Sequence, residues 1–299
     1  MSNVQVKDLT PLPLTASPKL LNVIRFYGNS QYALETIGFK EIIFLHSDKL
    51  NDPFDPPFYF VTDFNDDYKE LAEYVRQNHQ DEFDLFTRCL PEDSWITFTK
   101  QIEDYFFQNR NNAFIFSTCE INDNNHPKDS LYMWGHYGNG HRGVAIEFDT
   151  SLLTQALLKN METKETEILT EIKYLDELPK VTCESIYQFI IKATKGNDGI
   201  SEDETELFKI FQLTFHSKST EWKKEKERRF IVRNDKTKLK LLRISLEDNT
   251  VKAIYLGCRI DDQVEKDLIF EIKNKFPYAK IYKSKMKQGN FALEFEQLL

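Results

Sequence analysis

Between Asp67 and Arg110 the apolar residues recur at helical spacing. Leu71, Tyr74 and Val75 form one stripe, and Trp95, Phe98, Ile102, Tyr105 and Phe106 form a second. Strand-like segments lie on both sides of this block: Lys19–Tyr27 and Ile42–Leu45 before it, Ala113–Cys119 and Gly143–Asp149 after it. A further strand is expected within 163–175, then helices near 183–195 and 201–216. Strands at Glu225–Arg233, Leu239–Leu246 and Val251–Leu256, a helix at Asp261–Phe276 and a last strand near 279–283 follow. A short early helix at Ser30–Ile37 is expected to stop at Gly38. Helices set among strands in this way do not make the regular alternation of a parallel α/β sheet. The expected class is therefore α+β: a single compact domain with a mixed or antiparallel sheet, an inserted helical block, and late strands able to pair as a meander. Both aromatic stripes of the block read as core.

A chain that is 40% hydrophobic and 29% charged can bury a sizeable core, which excludes global disorder. The net charge of −9 counts against a sequence-independent grip on nucleic acid, which needs a basic face. Residues 1–18 hold Pro11, Pro13 and Pro18 without periodicity and read as a loosely attached lead-in, leaving 19–299 as the domain. They lack the pattern of a signal peptide, and no window approaches the roughly 18 apolar residues of a membrane span. Cys89, Cys119, Cys183 and Cys258 are scattered with no CxxC pair. They are expected as free thiols in a reducing compartment, which points to the cytoplasm. The polar run at 195–204 is the best flexible loop, but strands are expected on both sides, so no boundary is drawn there. GxGxxG after a strand, GxxxxGK[ST], GxSxG and HExxH are all missing, which argues against the sites those motifs build.

Chemistry concentrates in Met133–Gly143, where four of the ten glycines stand at 135, 138, 140 and 143. Glycine packed this densely marks backbone at positive φ or in close approach. Among these glycines are Trp134, His136, Tyr137, His141 and Arg142, so the segment reads as a Gly-rich loop able to cradle a planar or anionic ligand. His136 and His141 lie five apart, which is not the spacing of two ligands on one helix face. No third ligand is near in sequence, so no metal is expected; the pair could instead work as general base and acid. In Glu225–Arg233, read as extended, Glu225, Glu227 and Arg229 fall on one face, where burial without purpose would be costly. Asn51 and Asp52 before Pro53 suit an Asx turn with Phe54 as its anchor. Arg25, inside an apolar strand, calls for a carboxylate or an anionic ligand.

Taken together, Arg25, NDPFD at 51–55, Ser117, MWGHYGNGHRGVAIEFD at 133–149 and WKKEKERR at 222–229 resemble a bacterial family known as domain of unknown function 2971. With the late IYLGCRI, the resemblance extends over nearly the whole chain from about residue 19. That family name implies no activity. A second likeness does: in the order of its polar residues the chain is similar to ADP-ribosyltransferase toxins, which carry an arginine or histidine on an early strand, a serine or aromatic on a middle strand and a glutamate on a late one. This likeness implies NAD as co-substrate. Glu225, Glu227, His136 and Tyr137 would be catalytic, and Arg25, Ser117, Trp134, His141, Arg142 and Arg229 would hold the dinucleotide. It also implies a toxin or phage-defence role. Two alternatives stay open: a metal-independent nuclease using His136 and His141, and a non-catalytic nucleotide-binding module.

Overall fold

The computed structural model describes residues 22–52, 54–55, 61–65, 67–121, 126–160, 166–195, 205–233 and 241–298. The proline-bearing lead-in and most of the 195–204 loop lie outside these residues. In chain order the first elements are β1 (Val23–Tyr27), α1 (Ser30–Phe39), β2 (Glu41–His46), β3 (Val61–Thr62), α2 (Tyr68–Asn78), α3 (Phe83–Cys89) and α4 (Trp95–Asn111). Then come β4 (Ala113–Glu120), α5 (Leu131–His136), β5 (Val144–Phe148), α6 (Thr150–Asn160), β6 (Thr166–Glu171), β7 (Lys173–Leu175) and β8 (Lys180–Val181). The last part holds α7 (Cys183–Lys195), α8 (Glu206–Phe215), β9 (Ser217–Ser219), β10 (Glu227–Arg233), β11 (Leu241–Ser245), β12 (Val251–Leu256), α9 (Asp262–Lys275), β13 (Lys280–Met286) and β14 (Leu293–Gln297).

The architecture is α+β, as expected. Among the described residues ten strands form one sheet in the order β11-β2-β4-β1-β5-β12-β13-β14, with β10 and then β6 added at β4. Only the β12–β13 pair within it is parallel. The late strands do not form a meander. β10 pairs β4, β11 pairs β2, and β12 pairs β5. β10 and β12 each have an apolar, buried stretch that fits beside early strands, so burial outweighs sequence proximity, whereas β11 buries only Ile244. The helices α2, α3, α4, α7 and α8 pack into a separate apolar cluster. Both predicted stripes enter it, with Leu71, Val75, Ile102 and Phe106 buried beside Phe208 and Phe211.

Local chemistry explains two departures from expectation. Helix α1 runs through Gly38 and ends at Lys40, whose left-handed φ of 53° lets its N–H bond the Thr36 and Ile37 carbonyls. A glycine inside a helix costs only about 1 kcal/mol, so a better-bonded stop two residues on prevails. The glycine-rich segment is not all loop: through His136 it is helix α5, capped by Ser130 Oγ, which accepts from the Met133 N–H at 3.2 Å.

The feature that positions the site is a seam in the sheet. One edge of β4 pairs with β10 along residues 113–119. The other edge is shared. Glu120 and Cys119 pair with Val23 and Ile24 of β1, whereas Ile115 and Phe114 pair with Leu45 and His46 of β2. Phe116, Ser117 and Thr118 are left between the two, with neither strand beside them in the ladder. Beyond Ile24, β1 keeps only its β5 partner. A buried strand edge must still satisfy its polar backbone. Here Arg25 reaches across and donates from Nη1 to the Ser117 carbonyl at 2.8 Å.

Candidate functional site

The seam opens into a cleft of about 320 Å³, lined by residues far apart in sequence, among them Arg25, Ser117, His136, Tyr137, Lys218 and Glu225. Arg25 leaves β1 with its guanidinium over the Phe116 ring, 4.6 Å from the centroid. That contact and the Ser117 carbonyl hold the head group in place, and a guanidinium with five donors keeps others for a ligand.

The floor of the cleft is an ionic cluster of Asp55, Lys218, Glu225, Glu227 and Arg229, all buried. Arg229 donates from Nε to Glu227 at 2.7 Å and from Nη1 to Asp55 at 2.6 Å, with Nη2 bonded to both carboxylates. Lys218 Nζ lies 2.7 Å from Glu225, 3.4 Å from Glu227 and 3.6 Å from Asp55. Its ammonium also sits 4.9 Å above the Trp222 ring. The second oxygen of Glu225 accepts from the Tyr137 hydroxyl. Every acidic member is thus held by a cation, and among the described residues no group of His, Cys, Asp and Glu is arranged to hold a metal ion.

Three carboxylates face two cations, so the cluster carries one excess negative charge when all are ionised. Its members answer differently. Burial alone would raise Glu227, but Arg229 and Lys218 hold its carboxyl down at about 2. Burial pushes the Glu225 carboxyl above its ordinary value, against the pull of Lys218 and Tyr137. Burial opposes the Lys218 charge too, yet the carboxylates around it hold its pKa above the ordinary lysine value. Burial and the bond to Glu225 both keep the Tyr137 hydroxyl protonated. Burial raises the Asp55 carboxyl as well, against the pull of Arg229, so Glu225 and Asp55 are the more basic carboxyls of the set and Glu227 is a fixed charge.

Glu225 does not reach this place by strand alternation. It ends a 3₁₀ turn spanning Thr220–Glu225, Lys226 follows at φ 47°, and β10 begins only at Glu227. The shared face expected for Glu225, Glu227 and Arg229 is real for the last two and is produced for the first by a turn. The NDPFD turn forms as read, with Asp52 Oδ1 accepting from the Phe54 N–H at 2.9 Å. Phe54 is not its anchor, being 62% exposed; the anchor is Asp55, locked to Arg229.

The structure gathers Arg25, Ser117, His136, Tyr137, Glu225 and Glu227 in the cleft and leaves four other candidates outside it. Trp134 is fully buried and bonds the Lys128 carbonyl through Nε1 at 2.7 Å, so it has no face to offer a ligand. His141 lies behind it, its ring parallel to the indole at 6.1 Å, and burial and nearby Arg259 lower its pKa. His136 and His141 therefore do not form a pair in the cleft. Arg229 is wholly buried in the ionic floor, and Arg142 lines a neighbouring groove. Lys218 escaped sequence reading altogether. Its signal was indirect: two carboxylates with one arginine on a buried face demand another cation.

The fold and site define a class: an α+β protein with a cleft at a seam in its sheet, floored by a buried ionic network. Residues 133–230 match the model of the family described as Protein of unknown function (DUF2971). The match takes in Tyr137, Lys218, Glu225, Glu227 and Arg229. No curated protein and no solved structure gives a significant match. Among the described residues no helix is long and apolar enough to cross a membrane.

Proposed function

We propose that the chain is an NAD-consuming glycosyl-transfer enzyme of the ADP-ribosyltransferase type, acting in the cytoplasm. The observation that carries this reading is Glu225, held by Lys218 on one oxygen and Tyr137 on the other, in the same cleft as Arg25 and Ser117. The reaction breaks the bond between ribose C1′ and the nicotinamide nitrogen. The bonding pair leaves with nicotinamide, and positive charge develops on the ribose. A carboxylate fixed beside that carbon stabilises the charge without reorganising. As an acceptor hydroxyl or water adds at C1′, its proton passes to Glu225, whose burial-raised pKa suits it to the role of base. Tyr137 offers an aromatic face to the nicotinamide, and Arg25 offers its free N–H donors to the ribose or phosphate.

The test is release of free nicotinamide from the dinucleotide by the pure protein, with an RNA arm alongside. Wild type should release nicotinamide and leave RNA intact. Cleaved RNA without nicotinamide would replace this reading with a nuclease, and neither product would leave a binding module. The proposed setting is a bacterial toxin or phage-defence effector. Growth arrest on expression of wild type but not of Glu225→Gln is the expected result there.

A further inference from the structure

The cleft is at the small end of ligand sites, which run from about 300 Å³ upward, so a dinucleotide whose reacting ribose sits there must extend beyond it. His136 marks where it can go. This residue is exposed and lines both the cleft and an adjoining groove of about 940 Å³.

Three loops wall the groove: one after β1, one after α5 and one after β12. They are locked to each other through backbone. A Cβ on Gly143 would stand 2.2 Å from the Tyr27 carbonyl oxygen, and one on Gly257 2.3 Å from that of His141. Arg259 N–H bonds the His141 carbonyl at 2.9 Å. Asn139 and His141 take positive φ of 50° and 68° in the course of this junction, a conformation that non-glycine residues hold only when their surroundings enforce it.

This rigid junction presents two guanidinium groups, Arg142 and Arg259, to the groove. Both residues are exposed, and among the described residues neither head group has a hydrogen-bond or ion-pair partner. That is unusual on a chain whose 48 acidic residues outnumber its 39 basic ones. The one carboxylate lining the groove, Asp261, is engaged through Oδ1 with the Gln263 and Val264 N–H groups at 2.9 and 3.2 Å. Two unneutralised arginines in a walled groove suit phosphate oxygens, which they bind by charge-assisted, bidentate bonds.

We infer that this groove is a second subsite, for the diphosphate arm of the substrate, with Arg142 and Arg259 as its ligands and His136 at the crossing into the cleft. The inference rests on the dinucleotide reading for the identity of the substrate; the groove's preference for phosphate does not.

Calorimetric titration with ADP-ribose, which lacks nicotinamide, and with inorganic pyrophosphate tests it. Wild type should bind ADP-ribose one to one, with pyrophosphate competing. The Arg142→Ala/Arg259→Ala double variant should bind at least tenfold more weakly at an unchanged thermal midpoint, since neither side chain supports the fold. Glu225→Gln should retain binding. Equal affinity in wild type and the double variant, or no competition by pyrophosphate, would overturn the subsite. Nicotinamide release separates the two claims. Binding lost in the arginine variant with no release by wild type keeps the subsite and removes the reaction. Release with an unchanged KM in the double variant keeps the reaction and removes the subsite.

Discussion

In the helical lobe, Phe86 and Phe106 lie fully buried among other aromatic rings, with Phe106 5.7 Å from Phe215 and 6.1 Å from Phe211. Beneath the cleft a region just as dry holds five charged side chains, with Arg229 as buried as either phenylalanine. The two interiors respond to damage differently. An apolar core loses contacts in proportion to the volume removed and can relax around small changes. A buried ionic network instead loses most where removing a member strands a charge that water cannot reach. A fold has no need of the second kind of interior for stability. It lies at the seam, where Asp55, Lys218, Glu225 and Glu227 line the cleft.

The largest effect should come from Glu227, which lies 2.7 Å from Arg229 and 3.4 Å from Lys218. Glu227→Gln should cost about 3–5 kcal/mol of stability, more than the order of a kcal/mol a partly exposed pair would give, because Arg229 and Glu227 are 0% and 4% exposed. Phe106→Leu in the helical lobe should cost about 1 kcal/mol. Urea unfolding of the two variants beside wild type measures both. Equal losses would erase the difference between the two interiors.

Acid should attack the same place. With its folded pKa at about 2, below the ordinary value of 4.5, Glu227 contributes stability that is fully present above the ordinary value. That contribution is lost as pH falls through the folded value. Glu225, shifted upward, works in the opposite sense: taking up its proton relieves a cost in the folded state. The stability difference between wild type and Glu227→Gln should therefore shrink between about pH 4.5 and pH 2. A difference that stays constant across this window would place the carboxylate's charge outside the network.

A smaller effect is expected from Tyr137→Phe, which removes a donor that favours ionised Glu225. The acidic limb of nicotinamide release should move upward by less than about one pH unit. A downward move would mean that the hydroxyl serves the neutral carboxyl instead.

Much of this was legible in the chain because it is periodic or local. The helical stripes at Leu71–Val75 and Trp95–Phe106, the strand at Ala113–Cys119 and the Asx turn at Asp52 follow from spacing and turn chemistry alone. The polar residues of the cleft stood out because each breaks its local pattern: Arg25 in an apolar strand, Tyr137 among glycines, Glu225 and Glu227 beside Arg229. What stayed hidden is non-local. The seam depends on where β1 and β2 stop pairing with β4, which no local pattern encodes. Lys218 sits in a three-residue strand with no periodicity to betray its burial. Glu225 enters the cluster by a 3₁₀ turn and a left-handed lysine, a route that strand parity does not describe. Trp134 and His141 were drawn into the site by proximity in sequence, whereas Trp134 is buried with its Nε1 on the Lys128 carbonyl and His141 stacks against it, leaving Met133, His136 and Tyr137 to line the cleft.

The central claim is that the network supports Glu225 but does not need it. Glu225→Gln keeps the shape, removes one charge and leaves two carboxylates against two cations. Measuring nicotinamide release and thermal midpoint on that single variant tests this most directly. The expected result is a midpoint close to wild type with release reduced to background; full release at an unchanged midpoint would contradict the assignment of Glu225 and the transfer reaction with it.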